Sequence, residues 1–286
     1  MNRVPSYYGT DMRIDAHQHF WQLTRFHYAW MPEGESVLKR DYLPEDLGPI
    51  LAEHRFDGCI AVQATTDPGE AQWLLDLAEA NSFIKGAVVW TDLTSPGLHA
   101  ELDILQQSLK FKGIRHPVHD EPDARWLLRE DVLAGLMELA RRDIPYDLLL
   151  RPIHLPLVPL VADRVPNLRM VIDHIAKPPI VEGKLEGWAQ SLSEAAKLPQ
   201  VLCKLSGMVT EANLQTWKAQ DLQPFIAHTL KVFGPERCMF GSDWPVCRLA
   251  AGWKQVLAAF TQACGPLPQG VRDQLLGETA IRFYGL

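Results

Sequence analysis

The sequence has no CxxC pair, no glycine-rich phosphate loop, no long apolar run and no surplus of basic residues. Its five cysteines, Cys59, Cys203, Cys238, Cys247 and Cys264, are scattered and odd in number. That speaks against a disulfide framework and for a reducing compartment. Cys59, Cys203 and Cys238 sit in apolar, strand-like runs and read as small buried hydrophobes. No stretch approaches the roughly 20 apolar residues a membrane span needs. Asp11 and Arg13 come before any apolar run, so no secretory signal is expected. Lys plus Arg number 28 against 35 Asp plus Glu, a net charge of -7, which is not the basic surface that nucleic acid requires. The expectation is a cytoplasmic protein with no membrane or nucleic-acid partner; homo-oligomerisation stays open.

What is present is a repeated alternation. The 286 residues are 47% hydrophobic and 22% charged, enough for one barrel-sized domain spanning 1–286. Short apolar runs at 12–16, 58–64, 84–90, 111–115, 146–151, 168–174, 201–206 and 238–242 read as strands, several of them apolar throughout, as parallel strands buried on both faces are. Helical patterns separate them. Asp67-Pro68-Gly69-Glu70 supplies a cap residue, a proline at the first helical position and an acidic first turn, followed by leucines at helical spacing. Segments 129–142, 185–197, 222–233 and 253–263 are similar. Strand–helix alternation repeated eight times predicts an α/β fold, a single-domain (β/α)8 TIM barrel. An open doubly wound sheet would show a glycine-rich turn after an early strand, and none is visible. Two segments exceed ordinary loops: 20–47, which is aromatic, and 177–187, rich in proline and glycine. In a barrel both lie on the catalytic face. The aromatics either plug the barrel end or face a substrate.

The chemistry-bearing residues cluster at predicted strand ends. In Asp15-Ala16-His17-Gln18-His19, period-two alternation puts His17 and His19 on one face with Asp15 below them. Two such imidazoles can chelate a metal ion. His174 ends the sixth strand and is the natural third imidazole; Asp173 alternates away and reads as a helix anchor. Asp243, in Gly241-Ser242-Asp243-Trp244-Pro245, ends the eighth strand. It is the candidate general base, metal ligand or both, and meets the histidines only if the sheet closes into a barrel. A carboxylate with a pKa near 4 needs an activated water or a dry setting to act as a base at pH 7. Arg115, His116, His154, Lys204 and Gln63 are candidates to hold substrate oxygens, and Trp30 or Trp244 to supply an apolar wall. His27, His54, His99, His119 and His228 are expected at the surface.

These segments appear in chain order: Arg13-Ile14-Asp15-Ala16-His17-Gln18-His19-Phe20-Trp21, Lys112-Gly113-Ile114-Arg115-His116, Arg151-Pro152-Ile153-His154-Leu155, Val171-Ile172-Asp173-His174-Ile175-Ala176-Lys177-Pro178, Cys203-Lys204-Leu205-Ser206-Gly207, Met239-Phe240-Gly241-Ser242-Asp243-Trp244-Pro245 and the closing Glu278-Thr279-Ala280-Ile281-Arg282-Phe283-Tyr284. Together they resemble the amidohydrolase superfamily, in its amidohydrolase-2 branch, with the sugar lactonases of the L-fuconolactonase and L-rhamnonolactonase type as the nearest likeness. The resemblance implies a barrel whose site lies at the strand C-terminal ends, with His17, His19, His174 and Asp243 as its polar core. Many superfamily members bridge two metals through a fourth-strand lysine or glutamate. Arg115-His116 cannot bridge, so the resemblance implies one divalent ion, zinc first, or none. It also implies hydrolysis of a sugar lactone by an activated water. The alternatives are a decarboxylase or dicarboxylate-lactone hydrolase of the same branch, or a non-catalytic sugar-binding barrel. A dicarboxylate should want several convergent arginines, and the seventh strand offers Lys204 instead.

Overall fold

A computed structural model describes residues 12–286. Asp11, one of the two residues on which the absence of a secretory signal rests, lies outside the described residues. The chain alternates β1 (Ile14–Gln18), α1 (Pro44–Glu53), β2 (Gly58–Val62), α2 (Pro68–Ala80), β3 (Ile84–Val89), α3 (Leu98–Leu105), β4 (Phe111–His116), α4 (Glu130–Arg141), β5 (Tyr146–Leu148), α5 (Leu157–Arg164), β6 (Met170–Ile172), α6 (Trp188–Ala196), β7 (Val201–Leu205), α7 (Ala219–Phe233), β8 (Cys238–Phe240) and α8 (Trp253–Cys264). All seven neighbouring strand pairs are parallel, in the order β1 to β8. The eighth strand meets the first through a Gln18–Trp244 bridge. Two backbone bonds seal that seam: Asp243 N–H to the His17 carbonyl (2.8 Å) and His19 N–H to the Trp244 carbonyl (2.7 Å). The result is a single-domain (β/α)8 barrel.

Local chemistry explains the joints. The Asp67 side chain accepts from Gly69 N–H at 2.8 Å and Pro68 opens α2, the cap the sequence predicts. Strand residues such as Cys59, Ala87, Ile114, Cys203 and Phe240 pack with the helices in one large core, and a second, smaller core fills the barrel interior. There Ile14, Ala16, Ile60, Val62, Val88, Val171 and Met239 meet Ala280, Phe283 and Tyr284. The last three belong to the C-terminal segment, where α9 (Gln269–Asp273) leads to α10 (Thr279–Tyr284) and closes the barrel floor. Cys59, Cys203 and Cys238 are buried free thiols, as expected.

The long first loop does both things open to it. Phe20, Trp21, Phe26, Tyr28 and Leu38 are buried in the main core. Each apolar side chain of this size contributes roughly 1.5–3 kcal/mol, so the loop is part of the packed fold. Trp30 remains 39% exposed and lines a cavity at the strand C-terminal ends.

One expectation about β1 fails. Asp15 pairs with Cys59 and Gln18 with Ala61, so β1 carries one residue more than β2 between those points. This bulge turns Asp15 away from the face of His17 and His19. Asp15 instead accepts from Ser242 N–H (2.8 Å) and Trp253 Nε1–H (2.8 Å), tying β1 to the segment after β8 and to α8.

Candidate active site

Four groups converge where the barrel seam closes. His17 and His19 face each other through their Nε2 atoms at 3.2 Å. Asp243 Oδ1 lies 3.3 Å from His19 Nε2, 3.9 Å from His17 Nε2 and 3.8 Å from His174 Nε2. All four residues are buried. The seam bonds place Asp243 beside His17, and its backbone is left-handed (φ 57°), which turns the carboxylate inward. Gly241 has to be glycine here, because a Cβ would overlap the Cβ of His17.

His174 arrives by a different route. After β6 the chain makes a left-handed turn, with φ of 54°, 48°, 60° and 51° at His174, Ile175, Ala176 and Lys177. Left-handed backbone costs about 1–2 kcal/mol per L-residue, so a run of four persists only where the surroundings fix it. Trp188 Nε1–H donates to the Ile175 carbonyl (2.7 Å) and Lys177 is ion-paired with Glu211 (2.7 Å). His174 Nδ1 meets Ser206 Oγ at 2.9 Å. Gly207, itself left-handed, leaves room for the ring that a Cβ would occupy.

The turn also overturns the reading of Asp173. Strand alternation stops at Ile172, so Asp173 does not point to a helix. It is fully buried within the barrel, 3.3 Å from His17 Nδ1, 3.2 Å from Arg115 and 3.0 Å from Lys204. Burial alone would raise its carboxyl, but Lys204, His17 and Arg115 hold it well below the ordinary range. Lys204 is fully buried, 3.1 Å from His17 Nδ1 and 2.5 Å from Asp147, whose same oxygen accepts from Tyr284 (2.8 Å). It supports His17 from below and is not among the residues lining the cavity.

Hydrogen-bond partners fix the imidazoles. His19 Nδ1 meets the Val62 carbonyl at 2.8 Å; a carbonyl only accepts, so Nδ1 carries a proton. Arg115, which only donates, is 3.4 Å from His17 Nε2, and the Asp173 carboxylate faces His17 Nδ1. Lys204 Nζ, which also only donates, is 3.1 Å from His17 Nδ1, so His17 has a cationic donor beside each ring nitrogen. Burial holds His17 and His174 well below the usual histidine pKa, so both are neutral. Burial would raise Asp243, but His174 and His19 outweigh it and keep the carboxyl below its ordinary range.

This donor set fits one divalent ion. Nitrogen atoms of His17 and His19 and an oxygen of Asp243 lie within 4.8 Å of one another, the N/O set zinc accepts, and Asp173 provides the carboxylate behind His17 typical of such sites. Arg115, 3.4 Å from His17 Nε2, is the competitor for that nitrogen. His17, Asp173 and His174 also converge, but Asp173 is already neutralised by Arg115 and Lys204, which disfavours a second ion.

Above this centre opens a cavity of about 650 Å³. His19, His174, Asp243, Arg115, Gln63 and Trp30 line it, as the sequence predicts, together with His116. Arg115 clamps Gln63, donating to its side-chain oxygen (2.5 and 3.1 Å) and to its carbonyl. Three predicted contacts are not among the lining residues. His154 is buried with Nδ1 accepting from Arg151 N–H at 3.1 Å, closing its own turn. Trp244 is buried against Phe20 and Tyr42. Lys204 is the third. Conversely, His119 is not a surface residue: it lines the cavity, and burial with Lys177 and Arg151 nearby lowers its pKa to about 3.

The residues sequence reasoning missed are Lys177, His119, Trp90, Glu121 and Trp126, all lining the cavity. Trp90 follows β3 directly, a strand-end position that the barrel rule flags. The others sit on turns with no periodic signal. Around His116 they form one unit: Trp126 stacks on the imidazole (4.0 Å between centroids, 8° between planes), Trp90 Nε1–H donates to Nδ1 (3.0 Å), and Nε2 meets Glu121 Oε1 (2.7 Å).

Comparisons with known proteins point one way. The amidohydrolase family model matches residues 14–286. An L-fucono-1,5-lactonase of Burkholderia ambifaria is 37% identical, covering 95% of both chains. An L-fucono-1,5-lactonase of Burkholderia multivorans is 38% identical, covering 96% of both. The crystal structure of an amidohydrolase from Burkholderia multivorans with bound zinc superposes with a TM-score of 0.91 at 38% identity, covering 96% of this chain and 99% of that one.

Proposed function

The chain belongs to the amidohydrolase family, and from that premise we propose that it is a lactonase, opening the ester ring of a neutral sugar lactone with L-fucono-1,5-lactone as the leading substrate. The observation that carries this reading is the convergence of Asp243 with His17, His19 and His174 at the base of a cavity lined by mixed donors and acceptors. The sequence relatives named L-fucono-1,5-lactonase support the substrate class.

Asp243 is ionised at neutral pH and takes the proton of a water aimed at the lactone carbonyl. Oxygen adds to the carbonyl carbon and the tetrahedral oxyanion is held by the cationic groups on this side, Arg115 and Lys177, beside the neutral His174. The carbon–ring oxygen bond breaks, Asp243 returns its proton to the departing oxygen, and the hydroxy acid leaves as carboxylate and one proton. Because Asp243 is held below the ordinary carboxylate range, it is a weak base for bulk water; His17, His19 and Asp243 would hold a divalent ion, zinc suiting the set, and that ion supplies carbonyl polarisation and a more acidic water when bound.

Among the described residues no helix is long and apolar enough to cross a membrane, and five unpaired thiols suit a cytoplasmic setting. The test is a panel of five- and six-carbon aldonolactones, followed by proton release. The expected result is hydrolysis of at least one well above its spontaneous opening; acceleration of none contradicts the proposal.

A further inference from the structure

The unit around His116 is fully determined by its partners. The Trp90 indole nitrogen can only donate, so His116 Nδ1 accepts and carries no proton. Nε2 then bears the hydrogen and donates it to Glu121 Oε1. Burial holds the ring below the ordinary histidine pKa, in this neutral form. Both ring nitrogens are thus used, and Trp126 covers a face. His116, expected to touch substrate, has no polar atom left to do so. Its effect is to fix Glu121.

Glu121 is a cavity residue with its side chain 25% exposed. Among the described residues no hydrogen bond engages its second oxygen, Oε2. Arg129 lies near but is committed to Asp131. β4 is diametrically opposite β8 in an eight-stranded barrel of this order, so the β4–α4 turn carrying Glu121 faces Asp243 across the barrel mouth. The cavity, at about 650 Å³, spans both. A lactone seated with its ester at Asp243 therefore carries its hydroxyls toward this side.

We propose that Glu121 is the specificity-determining residue: one carboxylate oxygen is fixed by the Trp90–His116 relay, and the other accepts hydrogen bonds from neighbouring hydroxyls of the ring, away from the ester. Asp92 and Asp120 also line this side, and Arg129, the cation beside them, is paired with Asp131, so a substrate bringing a carboxylate there meets net negative charge. The proposal rests on the lactonase reading and names what that site selects.

Two lactones of equal ring size test it: L-fucono-1,5-lactone and unsubstituted δ-valerolactone. The readout is the ratio of their kcat/KM values. Glu121→Ala is expected to lower this ratio by about 10- to 100-fold, the scale for losing hydrogen bonds to a charged group, and to act on KM more than kcat. Glu121→Gln, which keeps one acceptor, falls between. Trp90→Phe, which deletes the N–H and keeps an aromatic ring, lowers the ratio by about threefold or more. A ratio within about twofold of the parent in Glu121→Ala overturns the proposal, including the case where both activities fall together. Should the parent hydrolyse neither lactone, the lactonase reading has failed. Calorimetric binding of L-fuconate then decides: about tenfold weaker binding in Glu121→Ala supports recognition by Glu121, and equal affinity overturns it.

Discussion

At the scale of single residues, the site is built from side chains whose proton positions are set by their neighbours. His19 is held by the Val62 carbonyl and His116 by Trp90. Asp243 is the cavity carboxylate that faces His17, His19 and His174. Asp243→Asn keeps the shape and removes the proton acceptor, so it should lower kcat by at least ~100-fold while circular dichroism and Tm stay close to the parent. Lactone hydrolysis within about threefold of the parent would remove Asp243 from the mechanism. Alternation along β1 puts His17 and His19 on one face, whereas His174 and Asp243 lie two and three residues past the ends of β6 and β8, where chain order points to the site and alternation does not. Asp173 was misread because the rule was extended one residue past the end of β6. Lys204 was placed in the substrate pocket because alternation gives its face but not its depth: it is inside the barrel, yet beneath His17.

At the scale of elements, strands were easier to read than the loops that line the cavity. All eight were located, but β1 spans Ile14–Gln18, two residues further along the chain than the expected 12–16. Loops offer no periodicity, so the sequence puts 177–187 on the catalytic face without showing the left-handed turn at Lys177, and gives no sign of the Glu121 turn. The β2–α2 loop has its own anchor. Glu70 is buried on α2 and accepts from the N–H groups of Ala64 (3.0 and 3.2 Å) and Thr65 (3.2 Å), two cavity residues. Burial pushes its carboxyl from an ordinary 4.5 up to about 8 against those bonds. The folded protein thus keeps a proton that the unfolded chain loses near 4.5. Stability from this group is complete below that pH and is lost as pH rises through about 8. Glu70→Gln, which stays neutral, should therefore gain Tm relative to the parent by roughly 3 °C or more between pH 6 and 9. A Tm difference that does not change with pH would contradict this account.

At the scale of the whole molecule, the barrel does two jobs. Its seam brings the first and last strands together, which converts residues more than two hundred positions apart in sequence into one reaction centre. Its opposite side sets what can enter, with Glu121, Asp92 and Asp120 lining the cavity where a dicarboxylate would need cations. The fold class was legible from strand–helix alternation alone; the charge of the far wall was not, because it depends on which turns meet across the mouth. The central claim, a hydrolase selective for neutral sugar lactones, is tested most directly by one comparison. The purified protein is given L-fucono-1,5-lactone and 2-pyrone-4,6-dicarboxylate separately, at equal concentrations and pH, and kcat/KM is measured by proton release. The expected result is a higher kcat/KM for the neutral lactone by at least about 100-fold, the scale of losing one or two charge-assisted contacts and meeting like charge. A higher kcat/KM for the dicarboxylate would contradict it.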